Sequence, residues 1–288
     1  MKFGFCLPNY GSATSKKAID ESARISEKLN YDHVWTTDHL IIPEKFASPY
    51  GKCLESLSTL AYIAGKTEHV GLGSSIVVFP MREVVLFAKQ AAAVQILSNN
   101  RLMLGLGAGW NELEFHNVRA DFSKRGQYYD EGVELFKCLM KGDTEFKGKF
   151  YTITDGVFGP IPTKSVPLFF GGNAGPSLRR AAKFGDGWHP VGASPQEIKN
   201  GCDKLTRIAG RKSQIVLRIS VNFKEKSIKE RESKPRTALH GKRLEMISQI
   251  EEYKEAGATD LVCYFGDAAF PKIKEAAAKF SREIIPSF

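Results

Sequence analysis

The feature that most constrains the fold of this chain is a regular alternation of short apolar strand patterns with helical patterns along its whole length. Eight strand patterns can be counted, the first at residues 3–7 and the last at residues 260–265, and each is followed by a helical pattern. Such alternation is typical of βαβ units, in which the strands run parallel. The sequence therefore predicts an α/β protein built on a parallel sheet.

Two architectures satisfy this pattern, a closed (β/α)₈ barrel and an open doubly wound sheet. A chain of 288 residues fits a barrel of typically about 250 residues with insertions. An open sheet that binds a dinucleotide usually carries G-x-G-x-x-G after its first strand, whereas the first turn here contains Gly11 alone. We therefore predict a TIM barrel that forms a single domain over residues 1–288.

Two segments depart from a minimal barrel. Residues 144–154 alternate around Gly148 and predict an inserted hairpin before the fifth strand. Residues 224–243 contain eight basic and three acidic residues with little apolar content. This second segment predicts a basic loop after the seventh strand.

The composition narrows the function classes. The net charge of +9 favours anionic partners in general, but no aromatic side chains interleave with the charges of residues 224–243, so nucleic-acid binding has little support. No run approaches the roughly 20 apolar residues that cross a bilayer. The five cysteines lie far apart without a C-x-x-C pair, which favours a reducing, cytoplasmic compartment.

Candidate functional residues are those that directly follow the strands, because the active site of such a barrel lies at the carboxyl ends of its strands. Asp38 and His39 follow the second strand, and an imidazole with an ordinary pKa near 6.5 suits proton transfer at neutral pH. A histidine that merely caps a loop is the alternative. Trp110, after the fourth strand, is a candidate for lining a substrate pocket.

Two glycine-rich segments also follow strands. Residues 105–109 form a G-x-G-x-G run, but Trp110 replaces the last glycine of a dinucleotide fingerprint. Residues 171–177 open a helix, where free backbone amides can bind a phosphate. A glycine-lined turn and an empty helix cap are the respective alternatives. No spacing of histidines or carboxylates predicts a metal site.

Taken together, several motifs of this chain resemble those of the luciferase-like monooxygenase family, and more closely those of its deazaflavin-dependent oxidoreductase branch. The resemblance spans residues 1 to about 190. The segments that carry it are residues 35–40 (WTTDHL), 73–80 (GSSIVVFP), 97–110 (LSNNRLMLGLGAGW), 171–173 (GGN), 178–182 (LRRAA) and 185–190 (GDGWHP).

The resemblance implies a flat tricyclic cofactor, either the deazaflavin coenzyme F-420 or FMN, with a homodimer as the assembly. It implies a cis peptide at Ser75–Ile76 behind the central ring and His39 as the catalytic residue. The residues that it places against the cofactor are Asp38, His39, Ser74, Ser75, Ile76, Gly107, Ala108, Gly109, Gly171, Gly172 and Asn173.

Two departures bear on the substrate. Deazaflavin sugar-phosphate dehydrogenases of the family carry a glutamate where this chain has Trp110, and a tryptophan near residues 41–43, where this chain has Ile-Ile-Pro. A more apolar pocket is expected. The predicted function is hydride transfer between the deazaflavin and an unidentified small organic substrate. An FMN-dependent monooxygenase that uses reduced flavin and O₂ is the first alternative, and a catalytically silent flavin-binding barrel is the second.

Overall fold

The computed structural model describes residues 1–223 and 236–288, in which strands and helices alternate. The strands are β1 (Lys2–Cys6), β2 (His33–Thr36), β3 (Gly71–Val78), β4 (Leu102–Gly107), β5 (Phe146–Lys147), β6 (Thr152–Ile153), β7 (Leu168–Gly171), β8 (Gly187–His189), β9 (Gln214–Asn222), β10 (Ala238–His240) and β11 (Asp260–Tyr264). The helices are α1 (Lys16–Lys28), α2 (Ala47–Tyr50), α3 (Ser56–Ala64), α4 (Val84–Leu97), α5 (Glu112–Asn117), α6 (Arg125–Leu139), α7 (Gly175–Phe184), α8 (Pro195–Ala209), α9 (Arg243–Glu255) and α10 (Phe270–Glu283). Within the described ranges, no helix is both long and apolar enough to cross a membrane.

Eight of the described strands close a parallel barrel in the order β1-β2-β3-β4-β7-β8-β9-β11. The pairing of β11 with β1 joins the two ends of the chain, and β8 pairs with β9 on the opposite side. The predicted (β/α)₈ barrel is therefore confirmed. Because all eight strands are parallel, their carboxyl ends meet at one face of the barrel.

Apolar side chains cover both faces of the strands, as expected for a parallel sheet that is buried on both sides. The outward-facing side chains form the main core with the helices, and Phe5, Val34 and Leu72 belong to it. The inward-facing side chains form a smaller cluster inside the barrel, whose buried members are Cys6, Tyr10, Trp35, Phe169, Val216 and Val262. The barrel is thus a packed core and not a pore.

A polar network lies at the amino ends of the strands inside the barrel. The Nε2 atom of His33 lies 3.0 Å from Oδ1 of Asp260, and the indole Nε1 of Trp35 donates to Nδ1 of His33 at 2.6 Å. Burial opposes ionisation of Asp260, but the hydrogen bonds that it accepts from His33 and Thr259 lower the pKa of the carboxyl group. This buried carboxylate therefore has a hydrogen-bond partner on each oxygen.

The two predicted insertions have different outcomes. Within residues 144–154, strands β5 and β6 pair antiparallel. Of the expected loop at residues 224–243, residues 224–235 lie outside the described part of the chain. The remainder is not a loop: β10 pairs parallel with the end of β9, beyond the point where β8 has stopped, and helix α9 begins at Arg243. The loop prediction is wrong there because β9 leaves an edge that a short strand can occupy.

The packing around Trp35 generates a stability prediction. A Cβ atom built on Gly73 would overlap the indole ring of Trp35, so Gly73→Ala should lower the free energy of unfolding by about 1–3 kcal/mol. The matched control is Gly65→Ala, because Gly65 has a φ of −79° and its nearest neighbour is the carbonyl oxygen of Tyr62 at 3.8 Å. Urea unfolding of both variants measures the difference, and equal stabilities would contradict the packing described here.

Candidate active site

The carboxyl ends of the strands meet at one face of the barrel, which we call the mouth. A carboxylate oxygen of Asp38, after β2, accepts a hydrogen bond from the backbone N–H of Val78 in β3 at 2.9 Å. The hydroxyl of Ser75 in β3 lies 2.8 Å from Nε2 of His189 in β8. Nη1 of Arg218 in β9 donates to the carbonyl oxygen of Ser75 at 2.7 Å. Residues from four strands are therefore joined around Ser75.

The Ser75–Ile76 peptide is cis, as the resemblance implied. The pairing of β3 with β4 shifts register between Ser74 and Val77, and the Ser74 hydroxyl donates to the carbonyl oxygen of Gly105 at 3.0 Å. A Cβ atom on Gly171 would overlap the end of the Ile76 side chain. The half-buried Ile76 side chain therefore lies against strand ends that lack side chains of their own.

Asp38 connects the ends of β2 and β3. Its carboxylate is buried and lies 2.5 Å from Nη2 of Arg82, whose Nη1 also lies 3.2 Å from Glu55. Burial raises the pKa of Asp38, and the positive charge of Arg82 opposes that rise. Both carboxylate oxygens already accept hydrogen bonds, one from Val78 and one from Arg82. Asp38 therefore fixes the end of β2 to the end of β3.

His39 forms a buried pair with a carboxylate that the sequence reading did not identify. Its Nδ1 atom lies 3.1 Å from Oε2 of Glu114, and Oε1 of Glu114 accepts from the backbone N–H of Leu40 at 2.8 Å. The carboxylate can orient the imidazole through Nδ1, which leaves Nε2 as the ring nitrogen that a bound molecule could reach.

The surroundings of this pair are largely apolar and aromatic. The ring centroids of Tyr50 and Trp110 lie 4.6 and 6.2 Å from that of His39, and the Phe46 ring lies 4.9 Å from that of Trp110. Trp110 is 48% exposed. The structure thus brings the predicted pocket residue Trp110 next to the predicted acid–base residue His39, at the rim of the mouth.

Arg218 places a positive charge inside the mouth. Its Nη1 donates to the Thr37 hydroxyl at 3.0 Å as well as to Ser75, and its Nη2 donates to the Tyr10 hydroxyl at 2.6 Å. The guanidinium carbon also lies 5.6 Å from the ring centroid of Tyr10 and 5.4 Å from that of Tyr264. All of these partners are electrically neutral groups.

His189 holds Ser75 from the opposite side. Its Nδ1 contacts the carbonyl oxygen of Val216, so Nδ1 carries the proton and Nε2 accepts from the Ser75 hydroxyl. The imidazole is stacked on Trp35 at 5.2 Å. Burial, together with the charge of Arg218, lowers the pKa of His189 to about 4. His189 is therefore a neutral support in one fixed tautomer.

The glycine-rich segment after β7 lies beside the start of α7, which contains a proline in its first turn. The Asn173 side chain donates to the carbonyl oxygen of Val191 at 2.9 Å and accepts from the Val191 backbone N–H at 3.0 Å. The indole N–H of Trp188 donates to the Gly172 carbonyl oxygen at 2.7 Å. These bonds leave the backbone, and not the Asn173 side chain, to meet a ligand.

A cavity of about 230 Å³ adjoins this segment between α7 and α8. The side chains of Lys204 and Arg179 reach the start of α7. Their terminal nitrogens lie 3.7 and 3.5 Å from the position that a Cβ atom of Gly175 would occupy. Two cations therefore lie beside the start of α7, where the sequence left a phosphate site and an empty helix cap as alternatives.

The segment Gly107–Ala108–Gly109 divides into two parts. A Cβ atom on Gly107 would lie at an ordinary 3.7 Å from Ile76, so this position borders the open mouth, and Ala108 is half-buried. Gly109 has a φ of +77°, and a side chain there would meet Phe115. Gly109 therefore makes room for the helix α5 that carries Glu114.

Glu114 and Arg218 are the two residues of the mouth that sequence reasoning missed. Both left a signal. Asn111, which accepts from the backbone N–H of Leu113 and Glu114, is followed three residues later by an acid, a pattern typical of a helix start. Arg218 interrupts an otherwise apolar strand pattern, and a charge in such a position is rarely buried without a role.

Comparison with known proteins identifies the family. The sequence model of the luciferase-like monooxygenase family matches residues 1–227. An uncharacterised protein of Mycobacterium tuberculosis (strain ATCC 25618 / H37Rv) is 31% identical over 201 residues, which cover 65% of this chain and 69% of the relative. An F-420-dependent glucose-6-phosphate dehydrogenase of Amycolatopsis mediterranei (strain U-32) is 27% identical over 190 residues, 64% of this chain and 56% of the relative. A flavin-dependent trigonelline monooxygenase, oxygenase component, of Acinetobacter baylyi is 30% identical over 159 residues, 52% of this chain and 41% of the relative.

Solved structures show the same fold. An F-420-dependent secondary alcohol dehydrogenase in complex with an F-420–acetone adduct superimposes with a TM-score of 0.81 at 20% identity, covering 98% of each chain. The oxygenating constituent of a type II Baeyer–Villiger monooxygenase of Pseudomonas putida, in complex with FMN, gives a TM-score of 0.80 at 14% identity and covers 100% of this chain and 98% of its own. At these identities the likeness concerns the fold.

The buried, neutral His189 generates a pH prediction. An unfolded histidine has a pKa near 6.5, whereas that of His189 is about 4 in the folded protein. Between these values the unfolded state binds the extra proton, so the contribution of His189 to stability is complete above pH 6.5 and is lost as the pH falls toward 4. From pH 7 to pH 5 the free energy of unfolding should fall by roughly 2 kcal/mol through this group alone.

The measurement is urea unfolding of the wild-type protein and the His189→Gln variant at pH 7 and pH 5. The glutamine amide can donate to Val216 and accept from Ser75 but does not titrate. The variant should therefore lose less stability over this interval than the wild type. An identical loss in both proteins would show that His189 is not held neutral.

Proposed function

The chain belongs to the luciferase-like monooxygenase family, and we propose that it is an oxidoreductase that transfers hydride between the deazaflavin coenzyme F-420 and a small organic substrate. The observation that carries the proposal is the buried pair of His39 and Glu114 at the mouth that also contains the cis Ser75–Ile76 peptide. An acid–base group thus lies beside the place where the family resemblance puts the redox-active ring.

The residues of the mouth fit a flat ring system. A Cβ atom on Gly107 would come no closer than 3.7 Å to Ile76, so a side chain there would not clash with the protein and the glycine keeps space open for a ligand. Gly172 has a φ of +111°, so its backbone conformation itself favours glycine. We propose that Ile76, Gly107 and Gly172 line the ring and its ribityl chain.

The start of α7 fits the phosphate of such a cofactor. Helix amides bind anions, and Lys204 and Arg179 add positive charge beside Gly175. The adjoining cavity of about 230 Å³ offers room for the anionic tail that a deazaflavin carries beyond its phosphate. The net charge of +9 favours the same, more highly charged cofactor.

When bound, the deazaflavin supplies hydride transfer at carbon 5 of its central ring and reacts poorly with oxygen. The side chains supply the rest of the chemistry. His39 takes a proton from the substrate or returns one through Nε2, while Glu114 orients the imidazole from Nδ1. Trp110, Phe46 and Tyr50 exclude water from one side of the pair and favour an apolar substrate over a sugar phosphate.

Several relatives support the deazaflavin, since two of them are F-420-dependent glucose-6-phosphate dehydrogenases. Others favour a second candidate, an FMN-dependent monooxygenase that uses reduced flavin and O₂, because trigonelline and pyrimidine monooxygenases also match this chain. The mouth can hold either ring system. The charge around α7 and the acid–base pair favour the first candidate.

We also propose that the protein is a homodimer and works in the reducing cytoplasm. Helix α4 exposes Leu86 and Leu97, an apolar surface that a second copy of the chain would cover. The five cysteines are free thiols, which is compatible with reducing conditions. Light scattering on the purified protein measures the assembly.

The cofactor proposal predicts the result of a binding titration. Oxidised F-420 should bind more tightly than FMN, and its affinity should fall more steeply with salt because its tail is anionic. Lys204→Gln should weaken F-420 more than FMN, with Lys254→Gln on α9 as a surface control. Tight FMN binding without affinity for F-420 would favour the monooxygenase, and binding of neither cofactor would refute both candidates.

The acid–base proposal predicts the behaviour of two variants. His39→Ala should lower turnover by about 10²–10⁴-fold while the dissociation constant of the cofactor stays nearly constant. Glu114→Gln preserves the hydrogen bond to Leu40 but replaces the carboxylate oxygen beside Nδ1 by an amide, so the imidazole loses the acceptor that orients it and turnover should fall while the dissociation constant of the cofactor stays nearly constant. Normal turnover of either variant would contradict the assigned roles. Both assays require an accepted substrate, and a panel of small alcohols and ketones is the first choice.

A further inference from the structure

Arg218 is a cation that has no carboxylate partner among residues 1–223 and 236–288. The other buried or half-buried arginines that the structure describes are treated differently. Arg82 pairs with Asp38 and Glu55, and Arg180 pairs with Asp130. Arg101 has no carboxylate either, but oxygen atoms of its surroundings accept from all three of its nitrogens. The half-buried Arg125 on α6 also has no carboxylate; its Nη1 donates to the carbonyl oxygen of Phe122 and its guanidinium lies over the Phe122 ring.

The hydrogen-bond counts of Arg101 and Arg218 differ. A guanidinium has five N–H groups. Arg101 uses one on Nε, two on Nη1 and two on Nη2, which accounts for all five. Arg218 uses two on Nη1 and one on Nη2, which accounts for three. Within the described residues, Arg218 therefore has two N–H groups left, including that of Nε.

The groups around Arg218 do not neutralise it. Burial raises the pKa of Tyr10, of Tyr264 and of Cys6, although the charge of Arg218 opposes each rise. His189 is neutral as well. A positive charge in partly buried surroundings is costly without an anion, and the half-buried Arg218 lies in the mouth, where a ligand can supply one.

We infer that Arg218 stabilises the negative charge of the reduced cofactor ring. The inference rests on the proposed function and on one contact, because Nη1 of Arg218 donates to the carbonyl oxygen of the Ser75–Ile76 peptide, the group that the family resemblance places behind the ring. In hydride transfer, a C–H bond of the substrate breaks and its two electrons and hydrogen form a C–H bond at the ring. The ring thereby gains one negative charge relative to its oxidised form; this added charge is shared by N1 and the C2 oxygen, while the proton released by the substrate goes to His39.

This role predicts that Arg218 discriminates between two forms of one cofactor. The protein is titrated anaerobically with oxidised and with chemically reduced cofactor, F-420 or FMN, whichever it binds. Arg218→Gln should weaken binding of the reduced form ten- to a hundredfold more than that of the oxidised form. That ratio corresponds to a midpoint potential lower by about 30–60 mV for a two-electron couple. Arg218→Lys keeps the charge and should preserve most of the discrimination.

Arg179→Gln is the matched control, since the phosphate near α7 is present in both forms and both should weaken equally. An equal effect of Arg218→Gln on the two forms would overturn the Arg218 inference and leave the proposed function intact. Failure of the wild type to bind either cofactor would overturn both.

A measurement on the wild type covers the case in which Arg218→Gln does not fold. The bound reduced cofactor should keep the absorbance of its anionic form at pH values where the free reduced cofactor takes up a proton at N1. Protonation at the same pH in both samples would overturn the inference.

Discussion

The arrangement of the mouth depends on how the Ser75–Ile76 peptide is held. The hydroxyl of Ser75 bonds to His189 in β8, its carbonyl oxygen accepts from Arg218 in β9, and Val78 at the end of the same strand is tied to Asp38 after β2. Each bond reaches a different strand, so the position of this peptide follows from closure of the barrel. An open sheet would separate these strands and lose the site.

The two ends of the barrel interior differ in whether their polar and charged side chains have partners. At the amino ends of the strands, His33 and Asp260 lie 3.0 Å apart and form a hydrogen-bonded pair. At the carboxyl ends, His39 and Glu114 form a second pair, but Arg218 has only neutral partners in the described structure. Between the two ends lies the apolar layer of Trp35 and Phe169. Within the described barrel interior, the charge of Arg218, which has no partner of opposite sign, thus lies at the end where a ligand can enter.

The sequence predicted the barrel and the convergence of its strand ends because both follow from periodicity and from a rule of architecture. It placed Asp38, Ser75, Gly107 and Gly172 at strand ends, and the structure brings those ends to one face of the barrel. It could not tell which side chains are already engaged within the protein. Asn173 bonds to Val191, and Gly109 makes room for Phe115. Those facts depend on contacts between distant residues.

The sequence also could not predict the role of Glu114, for the same reason. Its helix α5 has six residues, too short for a clear periodic pattern, and its partner His39 lies 75 positions away. Strand β10 was not predicted because its three residues show no alternation of apolar and polar side chains. It forms because β9 has an unpaired edge beside it. Long periodic elements can be read from the chain, whereas short ones are decided by their tertiary neighbours.

The placement of α5 has a consequence for how such an enzyme can be altered. Both Trp110 and Glu114 lie on one connection after β4, and none of the residues between Asn111 and Asn117 pairs in the barrel sheet. The connection can therefore be exchanged between related barrels without changing the strand pairing. One exchange would replace Trp110 together with Glu114, so substrate selectivity and the carboxylate beside His39 would change together.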